Sequence, residues 1–213
     1  LTSDKVLLRE SLAQAQPSLS PANWSAAIAL AAATSAGAAD ANTVVISDGA
    51  NVVAETGAIV DYLLDKAGGE RLRPAAGTAD RLRFTYWLHY AEGSAMTPLL
   101  LKLVFQRMPL SAPGLLRGIV KGIAKQGEVR VADPNIRMHV DYWDAELAKS
   151  EWFAGHAFTA ADIMMSFPLE AGAMRGDAKT RPRVKAFLDK IHARPAYEAA
   201  LKYANERKTF GVT

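Results

Sequence analysis

The chain has 213 residues and no cysteine. That absence excludes a disulfide framework, a thiolate zinc site and a cysteine nucleophile, and it fits a reducing compartment. Long apolar runs are missing as well. No stretch of about 18 uninterrupted apolar residues occurs, so no membrane span is expected. His89, His139, His156 and His192 show no ligand spacing with one another, and they read as surface or core histidines rather than metal ligands. There is no tight Lys/Arg run either. The net charge is +3, yet Leu1–Ala67 holds 3 basic against 7 acidic residues and the remainder 22 against 15. The basic part can attract anions, but acidic residues are interleaved through it and the basic stripe of a nucleic-acid binder is missing. Neither nucleic acid nor a membrane is therefore expected as a partner. Asp4, Lys5, Arg9 and Glu10 break up what a secretory signal would need, and a start at Leu1 rather than Met suggests missing residues upstream.

Half of the residues are hydrophobic, enough for a full core without disulfides or metal. They are distributed unevenly. Val6, Leu7, Leu8 and Leu12 read as a short helix. From Pro17 to Asn42 alanine dominates, and Ala, Ser and Gly dictate no specific packed face. This segment is either low complexity with a role of its own or sequence imperfectly recorded. From Thr43 the pattern sharpens. Thr43–Ile46 and Val52–Ala54 are β-rich around the turn Ser47–Asn51, which predicts a hairpin. Thr56 then reads as the N-cap of a helix carrying Ile59, Tyr62, Leu63 and Leu64 at helical spacing. Gly68, Gly69, Pro74 and Gly77 mark a linker, so the expected organisation is a first domain at 1–67, a linker at 68–78 and a second domain at 79–213.

Everything after the linker reads as helix. Thr78 caps a segment running through Tyr86, Trp87 and Tyr90, with Pro98 kinking it. Asp133–Pro134 reads as an N-cap followed by proline at the first helical position, and Ile136, Val140, Trp143 and Leu147 form an apolar stripe. Val184, Phe187, Leu188 and Ile191 form another, and Pro195 opens a last helix. Between these stripes lies Trp152–Leu169. Thr159 is placed to cap a helix there, its hydroxyl accepting from the Asp162 N–H while the Asp162 carboxylate returns a bond to the Thr159 N–H. Phe158 and Ile163 flank the cap as a hydrophobic staple.

Hairpin, helix, linker and all-helical second domain, in that order, are the pattern of the glutathione S-transferase family. VISDGANVVAETGAIVDYLLDK resembles the family's hairpin and following helix, WFAGHAFTAADIMMSFPL its capping-box segment, and IHARPAYEAAL its late helix start. TYWLHYAEGSAM with PLLLKLVF resembles a bacterial branch related to fungal transferases. The resemblance runs from Thr43 to about Leu201. It implies an α/β thioredoxin-like N-terminal domain with an all-α helical C-terminal domain. It also implies a cytoplasmic homodimer that works in detoxification. The activity implied is conjugation of the glutathione thiolate to a small hydrophobic electrophile, with glutathione as co-substrate and no metal. The alternative is a non-catalytic relative that binds or scaffolds.

The same resemblance assigns residues. Thr56, where the family usually has serine, would meet the glutamyl carboxylate of glutathione, and Glu55 its ammonium. The family has a cis-proline where Val44 stands, with the backbone of the residue before it, here Thr43, facing the cysteinyl part. A hydroxyl near the first helix would stabilise the thiolate, and Ser3 is the candidate. Tyr86, Tyr90 and Glu92 fall where relatives line the electrophile pocket or reach across the dimer, although an aromatic stripe at helical spacing also serves as plain core.

Overall fold

The computed structural model describes residues 45–47, 52–66, 69–175 and 180–209. Ser3, Thr43, Val44 and the alanine-rich stretch lie outside them. The chain divides into two compact units. One holds the residues up to Gly69 together with Ala199 onward, and the other is Glu70–Glu198.

In the first unit, β1 (Val45–Ser47) and β2 (Val52–Ala54) pair antiparallel, with Val45 opposite Ala54, Ile46 opposite Val53 and Ser47 opposite Val52. The β-branched run favours this extended pairing. Ser47 continues the ladder instead of opening the turn. Helix α1 (Thr56–Lys66) follows β2 after one connecting residue and packs against that strand. Ile59, Val60, Leu63 and Leu64 are its buried stripe. Glu55 sets the corner. Its φ is 74°, and its carbonyl accepts the Ile59 N–H at 2.8 Å. Glu55 therefore holds the cap position expected of Thr56, and Thr56 is the first helical residue. A turn this abrupt from strand to helix needs a left-handed residue, a conformation that costs a non-glycine side chain about 1 kcal/mol or more.

The second unit is built from helices. In order they are α2 (Ala79–Tyr90), α3 (Met96–Ser111), α4 (Arg117–Gly127), α5 (Asp133–Glu146), α6 (Ala160–Arg175), α7 (Pro182–His192) and α8 (Pro195–Thr209); α8 continues into the first unit. Thr78 caps α2 as expected, its Oγ1 accepting from the Arg81 N–H at 3.1 Å. Widened π turns at Ala91–Ala95 and Glu128–Ala132 join α2 to α3 and α4 to α5. The kink expected at Pro98 is thus taken up one turn earlier. Proline has no N–H for the carbonyl four residues back and crowds it, and the wide turn absorbs the misfit before Pro98 enters α3. Asp133 does not cap. The chain is already helical through the second wide turn, with Ala132 at φ −71° and ψ −51°. Asp133 instead lies 2.8 Å from the Lys102 ammonium, pairing α5 with α3.

The core lies where α2, α5, α6 and α7 meet. Phe84, Trp87, Val140, Trp143, Met165, Leu169 and Phe187 are almost wholly buried there. Glu146, also buried, receives Arg83 at 3.1 Å and Lys149 at 2.5 Å. Burial opposes its charge, but the two cations outweigh burial and hold the carboxyl below its ordinary range. Before α6 the chain makes a tight turn in which Trp152 and Gly155 exchange backbone hydrogen bonds of 3.1 and 3.2 Å. Gly155 has φ 145°, and a Cβ there would stand 2.9 Å from the Asp80 carboxylate. Gly155→Ala is expected to lower stability by about 1–3 kcal/mol, read from a thermal melt. An unchanged melting temperature would remove the conformational argument.

Candidate functional site

Three places carry polar groups held in defined geometry. The first is the start of α1. Glu55 is exposed and Thr56 half-buried. The first N–H groups of any helix lack intrahelical partners and mark the positive end of its dipole. No acidic residue occupies the first turn of α1, so that end is not neutralised from within the helix. The structure brings Glu55 and Thr56 together at this corner, with the Thr56 hydroxyl beside those donors and a carboxylate immediately before them. Such an arrangement suits a small group bearing both an anion and a cation.

The second place is an aromatic cluster between α2 and α5. Tyr86 and Tyr90, one turn apart, stack with ring centroids 5.4 Å apart. Trp87 meets Tyr90 edge-on at 5.0 Å and stacks on Tyr142 at 5.4 Å. The Tyr142 hydroxyl donates to that of Tyr86 at 3.2 Å, and the Tyr90 hydroxyl bonds His139 Nδ1. Burial pushes the Tyr90 phenol up to about 12 and pulls His139 below its ordinary value. Both groups are then neutral near pH 7, so the phenol donates and Nδ1 accepts. Burial, reinforced by Tyr86, also raises Tyr142. The cluster thus holds Tyr90, His139 and Tyr142 uncharged at neutral pH. It offers neutral hydroxyls and ring faces, with Tyr86 itself exposed, which suits an apolar ligand with a polar handle. Glu92 lies in the first wide turn and is exposed.

His139 and Tyr142 were not singled out from the sequence as site residues. They lie three apart on α5, beside the buried stripe Ile136, Val140 and Trp143, and that adjacency was the available signal. His139 is more than a packed histidine, since it fixes the Tyr90 hydroxyl. His192 likewise has a partner, with Nε2 2.8 Å from Glu170 Oε1, which also accepts the Tyr197 hydroxyl at 3.1 Å.

The third place is the start of α6. Asp162 is fully buried. Its Oδ1 accepts the Phe153 N–H at 2.8 Å, and its Oδ2 accepts the Thr159 N–H at 2.8 Å and the Thr159 hydroxyl at 2.9 Å. The returning arm of the capping box forms as expected. The threonine arm differs, because the hydroxyl donates to the carboxylate. Next to the cap, Ala160 N–H donates to Leu72 O at 2.9 Å, tying the linker to this helix start. Phe158 meets Trp152 edge-on at 5.0 Å, and the Arg194 guanidinium lies 3.6 Å from its ring centroid. The Asp162 carboxylate and its donors are satisfied by one another, so the role is architectural.

Residues 107–195 match the family model described as glutathione S-transferase, C-terminal domain. The chain is similar to glutathione S-transferase 3 of Schizosaccharomyces pombe, at 29% identity over 159 residues covering 74% of this chain and 65% of that protein. It is similar also to glutathione S-transferase 3 of Zea mays, at 28% identity covering 71% of this chain and 66% of that one. The matched part is thus less than two thirds of either relative's length. Among solved structures, a glutathione S-transferase from Actinobacillus pleuropneumoniae superposes with a TM-score of 0.59 at 26% identity, covering 80% of this chain and 72% of its own. A sphingomonad glutathione S-transferase complexed with glutathione superposes with a TM-score of 0.61 at 25% identity, covering 84% and 92%.

Proposed function

Since this chain belongs to the glutathione S-transferase family, we propose that it binds glutathione and conjugates the thiolate to a small hydrophobic electrophile. The observation that carries this reading is the corner at Glu55. A left-handed residue there leaves the N–H groups and hydroxyl of Thr56 at an open helix start, and relatives of this fold hold glutathione. Thr56 receives the glutamyl carboxylate and Glu55 the ammonium. The Thr43 backbone, next to Val44, meets the cysteinyl part, and the Ser3 hydroxyl faces the thiol. Hydrogen bonding and the helix dipole stabilise the charged thiolate and lower its pKa, after which it attacks the electrophile. Proximity of the two bound molecules supplies much of the rate gain.

Tyr86 and Tyr90 contribute the wall for the electrophile, with Glu92 at its rim or reaching toward a second copy. The functioning form is a cytoplasmic homodimer acting in detoxification. Thr56→Ala is expected to weaken glutathione binding roughly tenfold, since a hydrogen bond to a charged group is lost. Thr56→Ser should restore most of it. Calorimetry is the check, and an unchanged dissociation constant for the alanine variant would sink the assignment.

A further inference from the structure

The longest stretch of the chain without an acidic residue lies between Glu92 and Glu128, and it carries Lys102, Arg107, Arg117, Lys121 and Lys125. It folds as a helical hairpin, α3 against α4. Their contact is close, since a Cβ on Gly127 would stand 2.6 Å from the Phe105 ring. Away from that contact the hairpin exposes what a soluble helix pair ordinarily buries. Leu115 at the turn is 96% exposed, Leu110 73%, Ile119 64% and Ile123 60%. Leu100, Val104 and Met108, at a spacing of four on α3, are exposed too.

Lys102 is paired with Asp133, but the other cations are poorly matched by counter-charges. Arg107, Arg117 and Lys121 are exposed and make no ion pair among the described residues, while Lys125 has only Glu128 at 3.8 Å. On α4 the helical spacing places Arg117, Lys121 and Lys125 along one edge and Ile119 and Ile123 along the other. Gly118 and Gly122 lie between, with nothing within 4 Å of where a Cβ would be. The outer surface of α4 is therefore low in relief, apolar on one side and cationic on the other. That combination is the signature of a helix lying in a membrane interface.

We propose that the α3–α4 hairpin docks on an anionic lipid surface. Leu110, Leu115, Ile119 and Ile123 enter the headgroup boundary, and Arg107, Arg117 and Lys121 meet lipid phosphates. A second copy of the chain is the poorer occupant, because a two-fold contact would set this acid-free face against its own like charges. RNA would use the cations but not the leucines and isoleucines. The contact is superficial, since no helix among the described residues is long and apolar enough to cross a membrane. The expectation of no membrane partner rested on the lack of a span, which surface docking does not need, and the interleaving of acidic residues expected of the basic part fails between Glu92 and Glu128.

The test is flotation of the full chain with phosphatidylcholine vesicles, with and without phosphatidylserine. Binding is expected to the phosphatidylserine vesicles alone and to weaken with added salt. Arg117→Glu with Lys121→Glu should lower partitioning by roughly tenfold or more, each cation near an anionic surface being worth several-fold. Leu115→Asp, at a side chain that is almost wholly exposed, tests the apolar part without disturbing the core. Both variants should keep wild-type glutathione turnover. No flotation, equal flotation on phosphatidylcholine alone, or flotation unchanged in both variants would overturn the proposal. So would loss of self-association in the Leu115 variant without any vesicle binding, which would give this face to a second copy.

Discussion

Asp162→Ala is expected to cost about 3–5 kcal/mol of stability, because two buried backbone N–H groups lose their acceptor and each such loss costs about 1–3 kcal/mol. The donors are Phe153 N–H and Thr159 N–H, with the Thr159 hydroxyl as a third. Asp162 and Ala160 are fully buried, so bulk solvent does not replace the lost acceptor. Thr159→Ala removes one donor and leaves the carboxylate two, so its cost should be near 1 kcal/mol. Urea unfolding followed by circular dichroism measures both. A loss under 1 kcal/mol for the Asp162 variant would mean that the loop and helix relax apart at little cost. A second consequence concerns pH. Burial raises the Asp162 carboxyl from 3.8 to about 6, against the pull of its three donors. The folded state therefore holds this proton more tightly than the unfolded chain does. The stability it contributes is fully present below the unfolded value of 3.8 and is lost as pH rises through about 6. Relative to Asp162→Asn, which does not titrate, the wild type should gain about 2 kcal/mol between pH 7 and pH 4. A difference between the two that is flat with pH would show that the carboxyl stays ionised throughout.

This helix start was legible because its signal is local. Thr159 and Asp162 lie three apart at the head of an apolar run, and only short-range geometry decides their pairing. The apolar stripes of α5 and α7 were legible for the same reason, as Ile136, Val140, Trp143, Val184, Phe187, Leu188 and Ile191 are all buried. Features that depend on what precedes or crosses an element were harder to see. Asp133–Pro134 reads as a helix beginning, yet the chain arrives there already helical through a wide turn, and no propensity rule marks a π turn in advance. Glu55 takes a left-handed corner that sequence statistics would reserve for glycine or asparagine, so the cap was placed one residue late. His139 and Tyr142 became legible only through partners 49 and 56 residues away in sequence. Side-chain bonds over such separations leave no periodic trace.

Trp87→Ala should be comparably damaging, at about 3–5 kcal/mol for a large buried aromatic, and it should also disturb the aromatic wall. Trp87 is 1% exposed. Its ring touches Tyr86 and Tyr90 on its own helix, each at 5.0 Å, Tyr142 on α5 at 5.4 Å, and Phe153 before α6 at 4.5 Å. It thus touches every tyrosine of the cluster and the loop that Asp162 anchors. Removing it leaves a cavity under the stacked pair Tyr86–Tyr90, and neither ring can fill the gap without giving up its hydroxyl bond to Tyr142 or His139. Trp87→Phe keeps a ring in the space and should cost much less. If Tyr86 and Tyr90 wall the electrophile, the phenylalanine variant at a temperature where it is folded should show a raised KM for the electrophile and an unchanged KM for glutathione. A purely structural role would lower the amount of active enzyme while leaving both KM values alone. Steady-state kinetics on the two variants, with the folded fraction fixed by circular dichroism, decides between these outcomes.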